Sequence, residues 1–309
     1  MPSIFQKTAL KAAGARPPAA VELSPEGVLA AALPAARRGA SAAAQVYAFV
    51  PLPEGALVPS IDAPNFRAPE AVSSALRSAL SQVAPRTRAI TVILPDPIVR
   101  VFVLDFDAFP VKAADAVSVV RFRLRKTVPF DVEPAGVSYQ VLTQSESEYR
   151  VLGAVIPGPI LAEYEAVIRD AGFEPGVVLS SSLAALAAAG SMEGVLAANL
   201  GANSITTAVA SGHDLLLYRT LDLPLEPWSR IAEIERAIAV AAAYFEDKLG
   251  APPRQLHYAG MQSPAEFAEA VGNPGLTVVE WAERPGEGAL TSLPQTSFAG
   301  VQGALAGVS

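Results

Sequence analysis

The residues best placed to do chemistry stand in the run NLGANSITT (residues 199–207), where a strand carries Asn199 and Gly201 into a turn containing Asn203 and Ser204. A tight hairpin of small polar residues exposes backbone N–H groups that can cradle a phosphate, and the same composition serves an ordinary structural turn. Asp105 and Asp107 (LDFD) form an acidic pair at a strand end. At i, i+2 both carboxylates face one way and could hold a metal or share a proton, as well as mark a strand entering a solvated turn. Arg121, Arg123, Arg125 and Lys126 form a basic cluster before Val128-Pro129-Phe130. Such a cluster suits acidic partner segments, anionic lipid head groups or plain solvation. With no cysteine, thiolate chemistry is excluded; with only His213 and His257 a histidine zinc site is not expected, and both histidines read as structural. Walker A, GxGxxG, GxSxG and HExxH signatures are absent from the sequence. No catalytic residue and no metal site is predicted.

Those residues need elements to position them. Strand-like runs fall at residues 19–23, 45–50, 90–94, 99–105, 137–142 and 151–156, then at 195–200, 205–209, 215–221 and 277–281. The turn Ser24-Pro25-Glu26-Gly27 joins the first run to residues 28–32 as a hairpin. Pro69 opens a helix with Val72, Leu76, Ala79, Leu80 and Val83 on one stripe. A second helix spans about 113–127 with Val117, Val120 and Leu124 inward, and a third, 160–171, stops at Gly172. The longest begins near Ser229, read as its N-cap, and ends at Gly250, with Ile231, Ile234, Ile238, Ala242, Phe245 and Leu249 inward. Alternating strands and helices predict an α/β or α+β architecture. A change of pattern near residues 190–194 predicts two lobes, 1–190 and 191–309.

Bulk composition narrows the class. Apolar residues make up 51% of the 309 and charged residues 17%, so the chain is globular rather than disordered. A net charge of −7 argues against a nucleic-acid surface. The mean hydropathy of +0.34 raises the question of a membrane span. The richest stretch, residues 29–50, is interrupted by Pro34, Arg37, Arg38, Gly39 and Gln45, and the N-terminus has no run of signal-peptide length. The expectation is a soluble, unexported protein that meets the membrane only through a partner.

Taken in order, several segments resemble the PilM family of type IV pilus assembly proteins. They are VPFDVEPAGVSYQVL (128–142) after a central helix carrying residues 121–126, RVLGAVIPGPILAEYEAVIRDAGFEPGVVL (150–179), the turn segment 195–207, and DLLLYRTL (214–221). The resemblance runs discontinuously over about 90–221. It implies an actin-like fold of the FtsA/PilM type, with two lobes about a nucleotide cleft and a small subdomain inserted in the first lobe, here about 98–173. It also implies a cytoplasmic scaffold that grips the N-terminal peptide of the inner-membrane protein PilN, beside the inserted subdomain around residues 105–130. The resemblance further implies that such a scaffold helps couple the pilus alignment complex to the motor ATPases.

Departures from the family pattern imply lost hydrolysis. The place of the first phosphate loop, D-x-G-S in the family, is assigned to GARPPAAVE (14–22), where Pro17 and Pro18 supply no amide donors. Asn199 stands where an acidic magnesium ligand is expected, and an amide is a poorer ligand for a hard cation. The adenine-side glycine pair is reduced to Gly260-Met261. The family carries most of a fourth subdomain after the position of Leu223, whereas here Leu225–Trp228 lead straight into the long helix, which truncates the second lobe. Hence no cofactor is expected. Any vestigial ATP/Mg binding would use Gly201, Asn203 and Ser204 at the phosphate end and Gly260 at the base end. The alternatives are an active actin-like ATPase and a GspL-like scaffold of a type II secretion system.

Overall fold

The computed structural model describes residues 16–33, 45–83, 85, 87–145, 147–189, 192–212, 214–272, 275–282 and 296–306. Its first sheet begins with β1 (Ala19–Ser24) and β2 (Gly27–Ala32), an antiparallel hairpin, followed by β3 (Val46–Pro51) antiparallel to β2. Helix α1 (Pro69–Val83) then crosses over, so β4 (Ala89–Leu94) returns parallel to β1, and β8 (Glu174–Ser180) adds parallel to β4. The strand order is β3-β2-β1-β4-β8. β1 and β2 are buried on both faces, which explains why they read as nearly unbroken apolar runs rather than alternating ones.

The second sheet repeats this plan. β9 (Val195–Leu200), β10 (Ser204–Ser211) and β11 (Asp214–Asp222) form an antiparallel meander. Helix α5 (Pro227–Leu249) crosses over to β12 (Gln255–Ala259), parallel to β9, and α6 (Pro264–Ala270) leads to β13 (Thr277–Glu280), parallel to β12. Its order, β11-β10-β9-β12-β13, matches that of the first sheet strand for strand.

Between β4 and β8 lies a three-stranded antiparallel sheet of order β5-β7-β6: β5 (Arg100–Phe106), β6 (Gly136–Gln144) and β7 (Tyr149–Ile156). Helix α2 (Ala113–Leu124) covers one of its faces around Val120, Leu124, Val151 and Val155. Helix α3 (Gly158–Asp170), by contrast, packs on α1 and β8. It ends at Ala171 before Gly172, whose φ of +92° suits glycine.

Three helix boundaries differ from the sequence reading. α5 starts at Pro227, and its N-cap is Glu226 rather than Ser229: the Glu226 carboxylate accepts from the amides of Trp228 (3.1 Å) and Ser229 (2.7 Å). Hydrogen bonds from the Ser229 hydroxyl first, and from the Ser229 and Trp228 amides, lower the Glu226 pKa. α2 stops at Leu124, with Thr127 closing a last turn onto the Leu124 carbonyl, and α3 starts two residues early at Gly158.

Helices α4 (Ser181–Ala188) and α7 (Ala299–Ala306) pack closely against each other and against the first sheet. The last described helix therefore sits with the first sheet, not with the 191–282 part of the chain. β9 alternates between two cores: Val195 and Ala197 belong to the first, Leu196 and Ala198 to the second, built with α5 and α6. The same alternation aims Asn199 at the first sheet. Among the described residues no helix is long and apolar enough to cross a membrane.

Candidate functional site

The two hairpins at equivalent places in the two sheets face a common cleft. In the first, Ser24 pairs with Gly27 across Pro25-Glu26. In the second, the Gly201 amide donates to the Ser204 carbonyl (2.9 Å) across Ala202-Asn203. Glu22 and Asn199 are thus equivalent, each two residues before its turn and each at the end of a central strand. The matched first loop is therefore residues 22–27, which corrects its assignment to 14–22. Pro17 and Pro18 precede β1, and Gly14 lies outside the described residues.

Gly201, Asn203, Ser204 and Gly260 all line this cleft, together with Glu22, Glu26, Asp96 and Asp222. The cavity measures about 140 Å³, the size that holds a benzene-like molecule. Among the described residues lining it are four carboxylates and no lysine or arginine. Part of the two turns offers no amide to an anion. Pro25 has none, Gly27 N–H is engaged by Ser24 Oγ (3.3 Å), and Gly201 N–H closes its own hairpin. Gly260 has a packing reason as well: a Cβ there would come within 2.1 Å of Tyr258 Oη.

A polar clasp ties the two halves of the cleft together, and its centre is Asp96, one residue past Pro95 at the end of β4 and 5% exposed. Its Oδ1 accepts from the Ser182 amide (3.0 Å) and from Tyr218 Oη (3.0 Å). Its Oδ2 accepts from Ser182 Oγ and from Asn199 Nδ2 (3.1 Å). Asp96, Ser180, Ser181 and Ser182 come with the first sheet, Asn199 and Tyr218 with the second. Four donors use the roughly four lone-pair positions a carboxylate offers. Asn199 Nδ2 also lies 3.1 Å from Ser181 Oγ and from Ser182 Oγ, and Tyr218 Oη lies 3.2 Å from Ser180 Oγ. The phenol of Tyr218 is held well above its ordinary pKa by burial first and by the Asp96 charge second.

Glu22 joins the clasp through Ser181 Oγ, which donates to its Oε1 (2.5 Å), while Oε2 is enclosed without a partner against Gly300 of α7. Burial pushes the Glu22 carboxyl up to about 7, the Ser181 bond opposes this, and the charges of Asp96 and Glu26 add to it.

The sequence analysis did not single out Glu22, Asp96, Ser181, Ser182 or Tyr218. The signals available were an acid between two prolines straight after a strand (Pro95-Asp96-Pro97) and three consecutive serines, Ser180 to Ser182, at a strand–helix junction. Of the other singled-out residues, Asp105 pairs with Arg150 (3.3 Å), and no acid or histidine cluster suited to a metal is found among the described residues. His257 lies half-buried on β12, where burial lowers its pKa, and His213 lies outside the described residues.

Two sheets of one repeated strand order, facing each other across a cleft walled by equivalent hairpins, define an actin-like two-lobed fold with a small sheet inserted between β4 and β8. Residues 223–226 alone separate β11 from α5. Among solved structures, the chain is similar to a chain of the PilM–PilN type IV pilus biogenesis complex. The TM-score is 0.69 at 18% identity, with 94% of this chain and 98% of that one covered. It also matches the cytoplasmic domain of EpsL, an inner-membrane component of the type II secretion system of Vibrio cholerae, with TM-score 0.48, 15% identity and coverages of 87% and 89%. An actin-like ATPase-fold protein of unknown function from Bacteroides thetaiotaomicron gives TM-score 0.48 and 12% identity, with coverages of 84% and 88%. The PilM–PilN likeness establishes the fold. No protein-family model matches the chain, and no curated protein does.

Proposed function

We propose that this chain is a scaffold of the inner-membrane assembly complex of a type IV pilus, working on the cytoplasmic side without hydrolysing ATP. In this reading it grips the N-terminal peptide of a PilN-like membrane protein and reaches the bilayer through that partner. The observation that carries the reading is the likeness over nearly the whole length of both chains to a chain of the PilM–PilN complex.

The cleft residues do not fit a magnesium nucleotide. A triphosphate needs cations or convergent amides, and the lining offers four carboxylates and no basic side chain, with the Gly27 and Gly201 amides already engaged. Asp96 spends its acceptor capacity on four protein donors, and Asn199 contributes a donor where a hard cation needs an oxygen ligand. Phosphoryl transfer rests on electrostatic positioning that these residues do not supply.

The expected peptide site is beside the three-stranded sheet, around residues 105–130. Fluorescence anisotropy with a labelled N-terminal peptide of the PilN-like partner tests the role. Saturable binding that a scrambled peptide fails to reproduce is expected, and equal response to both peptides contradicts the reading.

A further inference from the structure

Helix α2 belongs to the 105–130 stretch expected to border the peptide, and its outer surface carries a further feature. Its buried side is Ala116, Val120 and Leu124. At 100° per residue its outward ridge is therefore Asp115, Ser118 and Phe122, and Lys126 follows two residues past the helix end. Phe122 is 71% exposed. The four cations at its C-terminal end, Arg121 and Arg123 in the last turn and Arg125 and Lys126 just past it, are not equivalent. Arg121 donates to the carbonyls of Val132, Glu133 (3.0 Å) and Ala135 (3.1 Å), and Arg125 pairs with Glu133. Those two fasten the returning 131–135 segment to the helix. Arg123 and Lys126 are exposed, and among the described residues neither has a carboxylate partner.

An exposed aromatic side chain with two uncommitted cations beside it stands on the convex outer face of a helix, not in a groove. We infer that this tip docks on an anionic bilayer surface, Arg123 and Lys126 against lipid phosphates and Phe122 at the headgroup boundary. A bilayer needs no complementary groove, and basic residues beside an exposed aromatic ring are the chemistry that interfacial helices use. The whole chain carries a net charge of −7, so an anionic surface repels most of it and selects the orientation in which the α2 tip points at the lipid. Two cations and one ring make a weak contact by themselves. The inference rests on the proposed role in one respect: a partner that holds the chain near the membrane raises the effective concentration at which that contact acts.

The test is flotation of the full chain, without any peptide, on phosphatidylcholine vesicles made with or without phosphatidylglycerol, at low and then rising salt. The chain is expected to float only with the phosphatidylglycerol vesicles and to dissociate as salt screens the contact. With each cation contributing roughly fivefold, the Arg123→Glu/Lys126→Glu double variant loses about thirtyfold or more in partitioning. Phe122→Ala is expected to lose several-fold. All three side chains are exposed, and unchanged circular dichroism confirms that the variants fold. Absence of flotation, equal flotation on phosphatidylcholine alone, or undiminished flotation of the double variant overturns the inference. So does binding of a soluble polyglutamate peptide through these residues with the vesicles ignored. The peptide titration of the preceding section contains no lipid, so failure of one reading leaves the other standing.

Discussion

At the scale of single residues, Asp96 decides how the cleft behaves. Removing its carboxylate by Asp96→Ala leaves the Ser182 amide without an acceptor and takes one bond each from Ser182 Oγ, Asn199 and Tyr218, the last two keeping serine hydroxyls as partners. An orphaned donor costs about 1–3 kcal/mol, so a loss of about 2–3 kcal/mol in urea unfolding is expected. Tyr218→Phe removes one hydroxyl and its two interlobe contacts, to Asp96 and Ser180, and a loss of about 1–2 kcal/mol is expected in the same assay. Glu22 gives a pH signature. Its folded pKa of about 7 lies above the unfolded value of 4.5, so between those values the unfolded state binds fewer protons than the folded one. Stability then falls as pH rises through that window and levels off above it. Glu22→Gln removes the effect: its stability advantage over the wild type is expected to grow from pH 4 to pH 8, by on the order of 3 kcal/mol. A constant difference across that range contradicts an elevated Glu22. The residues of the second hairpin were legible because a hairpin is local, written in adjacent letters. The clasp was not, because its partners lie far apart in sequence, Tyr218 and Asp96 by 122 positions, and only the fold brings them together.

At the scale of elements, periodicity served amphipathic helices and failed buried ones. The stripe of α1 and the inward positions of α5 could be read from the sequence, because each of those helices keeps one polar face. The start of α5 was misplaced because Glu226 caps it in place of the serine three residues later, with Pro227 at the first helical position. α7 reads AGVQGALA, with no polar face to mark it, since it is covered by α4 and the first sheet. Its glycines are what allow that approach. A Cβ on Gly303 would lie 1.9 Å from the Ala184 carbonyl oxygen, and one on Gly300 would lie 2.4 Å from Glu22 Oε2. Gly303→Ala is therefore expected to force the helix pair apart at a cost of about 1–3 kcal/mol. Faster hydrogen exchange across α4 and α7 is expected with it, and unchanged exchange and stability contradict the close packing.

At the scale of the whole molecule, the repeated strand order is the organising fact, and it was hard to see in the sequence. The two equivalent hairpins, LSPEGV and LGANSI, share a position and a turn but almost no residues. Matching by motif therefore set the first loop eight residues early, whereas matching by strand order aligns Glu22 with Asn199. The consequence is a cleft whose halves are joined by the protein's own donors and acceptors, where a related fold could be joined by a ligand. The most direct test is calorimetric titration of the purified chain with magnesium ATP. No saturable heat and no phosphate release are predicted, with the unfolding temperature unchanged by the nucleotide. Saturable micromolar binding with turnover would contradict the account and would make the clasp a resting state that ATP opens.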